Sequence, residues 1–169
     1  MNTSRLCTPR ALYLIAALGI AAVLGAALYL QYVEHQEPCP LCMVQRLVFE
    51  VMLALFLIAG LHNPRRTGAK IYSGLIVLVA IGGMAVAGRH IWIQNLPKDE
   101  VPACGPGLDY MLESFPLSEV LKELMHGSGE CAAKGWTFLS LTLPQLSMIG
   151  YVLLAVWAVL VAVRARRMA

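Results

Sequence analysis

Four apolar runs, each long enough to cross a lipid bilayer as a helix, constrain this chain more than any other feature. They lie at about 11–31, 43–61, 71–94 and 145–163, and a hydrocarbon core is spanned by ~20 residues of α-helix. Backbone N–H and C=O groups in lipid must be satisfied within the segment, which selects helices over isolated strands. The chain is 59% apolar and 14% charged, against roughly 45–50% and about 25% for a water-soluble domain. A water-soluble globule, a disordered chain and a nucleic-acid-binding protein are therefore excluded as readings. Residues 1–169 read as one all-α membrane domain, a four-transmembrane-helix bundle with loops at about 32–42 and 95–144. Gly19, Gly25, Gly74, Gly82, Gly83 and Gly88 are the expected points of close helix approach. The first run exceeds the ~7–15 residues of a signal-peptide core and is expected to be retained.

Charge asymmetry sets an expected orientation, because short cytoplasmic segments carry the excess of Lys and Arg. Arg5, Arg10, Arg65, Arg66, Lys70, Arg164, Arg166 and Arg167 fall at the N-terminus, in the 62–70 loop and at the C-terminus, with no acidic residue. The 32–42 loop carries −2 and the 95–144 segment −4. Both termini are expected in the cytoplasm and both other loops outside, which in a bacterium is the periplasm. Within the second loop, Leu117, Val120, Leu121, Leu124 and Met125 follow helical spacing, with Glu119, Lys122 and Glu123 opposite. Pro116 suits the start of this helix and Gly127 its stop. A short horizontal amphipathic helix on the membrane surface is expected; a helix packed on the bundle mouth fits the same pattern.

The five cysteines sort by side. Cys39, Cys42, Cys104 and Cys131 fall on the outer side and Cys7 alone inside, an even set where disulfides persist. Cys7 reads as a lone thiol without a role. Cys39 and Cys42 form Cys-Pro-Leu-Cys at a helix mouth. Closing that ring stabilises by only about 2 kcal/mol, against about 3.6 kcal/mol for a 104–131 loop, so the short pair makes a poor staple. Cys-x-x-Cys is a recurrent redox unit, and a helix start with Pro at its first position favours a thiolate. Zinc is disfavoured by spacing, since only one pair is tight, and no metal ligands are assigned.

Arg46 lies at i+4 from Cys42 and Glu50 at i+4 from Arg46, on one helix face. An intramembrane arginine costs ~2.5–3.5 kcal/mol on insertion scales and marks a functional candidate; snorkelling to the interface is the plainer account. Here it is expected to stabilise a Cys42 thiolate and an anionic electron acceptor. Arg89, His90 and Trp92 close the third run. Residue type alone favours an interfacial anchor belt for all three, with His90 as hydrogen-bond partner of a quinone carbonyl as the sharper alternative.

These residues resemble the DsbB family of bacterial inner-membrane quinone reductases. The resemblance rests on E-P-C-P-L-C-M-V-Q-R at 37–46, R-H-x-W-x-Q-x-L-P at 89–97 and C-A-x-x-x-W-x-F-L-x-L-x-x-P-Q at 131–145. It covers nearly the whole chain. It implies a protein-dithiol:quinone oxidoreductase for disulfide bond formation, which reoxidises the periplasmic thiol oxidase DsbA and passes electrons to ubiquinone or menaquinone. By resemblance, DsbA attacks a Cys104–Cys131 disulfide at Cys104, Cys131 then attacks Cys39, and Cys42 delivers electrons to quinone with Arg46 in support. His90 resembles the family's quinone-proximal histidine, and Trp136 the aromatic after the last cysteine. DsbA is a strong oxidant at about −120 mV, and the DsbA–DsbB–quinone chain is itself the known instance of its recharging. Three other readings remain: a paralogue serving one DsbA-like partner, a non-catalytic membrane subunit with structural disulfides, and a vitamin K epoxide reductase-like protein. The last expects its Cys-x-x-Cys after the loop cysteines, and here it comes before them.

Overall fold

Proline sets the start of the first two long helices. In the computed structural model, which describes residues 8–97, 99–101 and 108–167, helix α1 runs Pro9–Tyr32 with Pro9 in its first turn. Thr8 caps it, its Oγ1 accepting from the Ala11 N–H at 3.3 Å. Helix α2 runs Pro40–His62, opens on Pro40 directly after Cys39, and ends at Asn63 in the left-handed region. Proline suits a first turn because its missing N–H has no partner there in any helix. Helix α3 spans Arg66–Gln94. The second loop carries α4 (Leu108–Ser114), α5 (Leu117–His126) and a 3₁₀ turn at Gly129–Ala132, then the strands β1 (Thr137–Phe138) and β2 (Leu141–Thr142), and the last helix is α6 (Leu143–Arg167). Cys7 and Cys104 lie outside the described residues.

All four long helices are long and apolar enough to cross a membrane, as the sequence leads one to expect. Their outer faces are apolar too: Leu18, Leu47, Leu78 and Leu153 are exposed. In water such faces would be a liability; in lipid they are the solvent-facing surface. Contacts fix the arrangement as up-down-up-down. At one end Tyr13 reaches Ala69 and Ser73, and the Trp157 indole donates to the Leu12 carbonyl at 3.0 Å. At the other end Arg46 reaches Gln31 and Gln45 reaches His90.

The core between them is built from Tyr13, Ile20, Met52, Phe56, Ile76, Ala80, Tyr151 and Ala158, all buried. Polar atoms inside it are paired, as they must be away from water. The Ser73 hydroxyl donates to the Ala158 carbonyl at 2.8 Å and lies 3.3 Å from the Tyr13 hydroxyl. The Tyr151 hydroxyl donates to the Gln45 carbonyl at 2.8 Å.

The glycine expectation is corrected in part. Gly19, Gly25, Gly74 and Gly82 have nothing within 4 Å of where a Cβ would stand, because they fall on faces turned away from their neighbours. Gly83 does allow close approach: a Cβ there would meet the Tyr151 ring at 2.8–2.9 Å. That ring also stacks on Phe49, with centroids 4.5 Å apart, which restricts its room to retreat. Gly83→Ala is therefore expected to cost about 1–3 kcal/mol, in the range of overpacking. A thermal melt in detergent should show a lowered midpoint for Gly83→Ala and none for the neighbouring Gly82→Ala.

The periodic segment of the second loop is helical, as its spacing predicts. Val120 is 2% exposed and packs with Met111 and the partly buried Val44 of α2, whereas Leu117 points outward. This side of α5 thus rests on the bundle end. The β1–β2 ribbon turns through Leu139 and Ser140, both at positive φ, the two-residue geometry that matches the twist of paired strands.

Candidate thiol and imidazole site

The helix start that Pro40 creates also fixes the cysteine pair. Cys39 caps α2 in extended conformation (φ −65°, ψ 162°). Cys42 sits one turn into the helix, and its Sγ lies 3.1 Å from that of Cys39. The N-terminal end of a helix carries partial positive charge from its free N–H groups, which favours an anionic sulfur there. The expected start of this span at residue 43 moves to Pro40, so Cys42 belongs to the helix rather than to the loop before it.

Cys131 comes to this pair from 89 residues further along the chain. It is fully buried in a small cluster with Cys39, Leu41 and Ile93, and its Sγ lies 3.7 Å from the Ser128 hydroxyl. The 3₁₀ turn that carries it closes through the Cys131 N–H to the Ser128 carbonyl at 2.9 Å. Gly127 precedes the turn at φ +79°, a conformation that side chains rarely adopt, and a Cβ there would collide with Ile93. Glycine is therefore required, both as the stop of α5 and as the point where the loop passes over α3. The Cys131 contact pulls the Cys39 thiol down, but the Cys42 contact and burial outweigh it and leave Cys39 pushed up to about 12. The Cys39 contact, then burial, push the Cys131 thiol up as well.

His90 is where the anchor-belt expectation fails. It is 2% exposed and turned into the bundle. Its Nε2 lies 3.2 Å from the Cys131 carbonyl and 3.7 Å from Cys39 Sγ, while its Nδ1 is 3.0 Å from the Gln45 amide. Its neighbours turn outward instead: the Arg89 guanidinium stacks over the half-exposed Trp92 ring at 4.2 Å. Residue type could not separate them, because only their place on the turn does: Arg89 and Trp92 share one face and His90 lies on another.

Arg46 bridges two helices. Its Nη1 donates to Gln31 Oε1 of α1 at 2.7 Å, and its Nε lies 3.6 Å from Glu50 Oε1. The pairing with Glu50 is the one its i+4 spacing predicts. A guanidinium has five donors, so these two partners fix it without exhausting it. Trp136, 38% exposed, stacks on Phe138 of the ribbon with centroids 5.9 Å apart.

Two site residues escaped the sequence reading, Gln31 and Gln45. Both are polar residues at the thiol end of apolar runs, and a polar side chain at membrane depth is a functional candidate by default. That signal was available for Gln45, which is 3% exposed and adjacent to Arg46.

The disulfide bond formation protein DsbB family model matches residues 9–161. The chain belongs to the DsbB family. Among curated relatives, Disulfide bond formation protein B of Hahella chejuensis is 51% identical over 152 residues, 89% of this chain and 92% of the relative. The protein of the same name from Chromobacterium violaceum is 46% identical over 160 residues, 95% of this chain and 96% of the relative. That from Nitrosococcus oceani is 47% identical over 136 residues, 80% of each chain. Membership in the DsbB family makes this a multi-pass membrane protein of disulfide bond formation.

Proposed function

We propose that the protein is a protein-dithiol:quinone oxidoreductase that recharges a DsbA-like thiol oxidase of the periplasm from the bacterial inner membrane. One observation carries this reading: Cys131 and Cys39 share one buried cluster, and Cys39 Sγ is itself 3.1 Å from Cys42 Sγ. Three sulfurs in sequence form a path for thiol–disulfide exchange, in which a thiolate attacks one sulfur of a disulfide and expels the other.

The steps balance as follows. A thiolate of the reduced partner attacks a Cys104–Cys131 disulfide at Cys104, and Cys131 leaves as a thiolate. No base is needed, because bond cleavage delivers the anion. Burial, which raises the Cys131 thiol alongside its interaction with Cys39, persists in this state and makes that anion a strong nucleophile. It attacks Cys39, the Cys39–Cys42 bond breaks, and Cys42 leaves as a thiolate at the positive end of α2. The partner's second thiol releases it as a disulfide. Return of Cys104 to Cys131 then frees Cys39 to rejoin Cys42, and two electrons depart from the Cys42 end. A quinone supplies the terminal oxidation by taking those electrons and two protons to become a quinol.

The residues around Cys42 fit a lipid-soluble acceptor. Cys42 is only partly buried, and Met43 and Leu47 on the same helix are exposed apolar side chains facing lipid. Arg46, held by Gln31 and Glu50, is the cation that would bind an acceptor oxygen as negative charge develops. His90, facing Cys39 and Cys131, would act at the sulfurs, donating a hydrogen bond to a departing thiolate. The test is purified protein in detergent with a reduced DsbA-like partner and a soluble ubiquinone analogue. One partner disulfide should form per quinone reduced; quinone reduction without partner oxidation would refute the coupling.

A further inference from the structure

We propose that the reduced protein holds a soft divalent cation of the zinc class at Cys39, Cys42 and His90. Cysteine spacing alone argued against zinc, since it offers one tight pair. Folding changes that count, because α3 brings an imidazole from 51 residues away.

The geometry is close to what such an ion demands. Zinc–sulfur bonds of about 2.3 Å and zinc–nitrogen bonds of about 2.0–2.1 Å in a tetrahedron put sulfurs about 3.8 Å apart and sulfur about 3.6 Å from nitrogen. Here Cys39 Sγ and His90 Nε2 are 3.7 Å apart, Cys39 and Cys42 sulfurs 3.1 Å, and the three donor atoms all lie within 4.8 Å of one another. Admitting an ion requires the two sulfurs to separate by about 0.7 Å. The fourth position of the tetrahedron is left to water, as at zinc sites with three protein ligands.

The surroundings also suit a ligating histidine. Such residues bind through one ring nitrogen while the other is held by a hydrogen-bond acceptor. His90 presents Nε2 to Cys39, where an ion would replace its hydrogen bond to the Cys131 carbonyl, and its Nδ1 meets the Gln45 side-chain amide. An amide accepts from Nδ1–H after turning over its oxygen and nitrogen, so Gln45 serves the metal-binding tautomer. The Gln45 backbone is tied to the Tyr151 hydroxyl, which keeps the amide in place. Binding displaces the thiol protons and matches the charge of the ion with thiolates, a favourable outcome at a buried site.

The site exists only while the thiols are reduced, because a Cys39–Cys42 disulfide removes two ligands. It rests on geometry and not on the electron relay, and metal binding is measured without partner or quinone. The experiment titrates cobalt(II) into anaerobic, phosphine-reduced full-length protein in detergent, reading sulfur-to-cobalt charge transfer and tetrahedral d–d bands, with zinc as competitor. We expect one equivalent bound by the reduced protein and none by the oxidised protein. Cys42→Ser and His90→Gln should each weaken binding at least tenfold, whereas Cys7→Ser and Cys104→Ser should leave it unchanged. Cys42→Ser swaps one atom at a partly exposed position, so its folding is not at stake. Failure of the reduced protein to bind stoichiometrically, or retention of wild-type affinity by both Cys42→Ser and His90→Gln, would overturn the proposal.

Discussion

Cells that depend on the Cys42→Ser protein should accumulate their exported thiol oxidase in the reduced form, with quinone-coupled turnover at least a thousandfold below wild type. The serine hydroxyl fits where the thiol was, 3.1 Å from Cys39, so the fold should survive. What disappears is the only sulfur in position to leave when Cys39 is attacked. A hydroxyl forms no disulfide and transfers no electron pair at neutral pH, so the block is chemical rather than structural. Alkylation of trapped thiols from such cells reads the result directly. An unchanged redox state would favour the rival reading of a non-catalytic subunit with structural disulfides, since a ring as short as Cys39–Cys42 contributes little to stability.

Arg46→Ala should act at a different step. Its guanidinium is fixed between Gln31 at 2.7 Å and Glu50 at 3.6 Å, one turn below Cys42. Hydrogen bonds to charged groups contribute about 1.5–3 kcal/mol, so losing one to an acceptor oxygen should raise the apparent KM for quinone by roughly ten- to hundredfold. Exchange among Cys104, Cys131 and Cys39 should proceed at its normal rate, because the partners of Arg46 are Gln31 and Glu50 rather than Cys131 or Cys39. Steady-state kinetics against quinone concentration, alongside stopped-flow exchange with reduced partner, separates the two effects. Removal also leaves Gln31 and Glu50 without their cation, so Arg46→Lys serves as the variant that keeps charge but loses the fork.

The parts of this molecule set by local chemistry were legible in the residue order. Apolar length dictated the four helices, i+4 spacing dictated the Arg46–Glu50 pair, and Leu117, Val120 and Glu119 dictated α5. The parts that depend on which helix faces which were not. Gly83 and Gly82 are indistinguishable as letters, yet only Gly83 meets a ring. His90 shares its turn with Arg89 and Trp92, and only the packing of α3 against α2 turns it toward sulfur. The contact between Cys131 and Cys39 spans most of the chain and passes over Gly127, whose role as a helix stop was evident but whose fit over Ile93 was not. Short-range patterns name the elements, while long-range packing chooses their inward faces.

The central claim is that electrons cross from the second loop to the first through Cys131 and Cys39. Acid-quenching the protein during turnover with reduced partner, followed by alkylation and peptide mass spectrometry, tests it most directly. The account predicts a transient peptide pair linked Cys39 to Cys131, with Cys42 not linked to another cysteine in the same molecules. Steady quinone reduction with no such link at any time point, and Cys39 still bonded to Cys42 throughout, would contradict it.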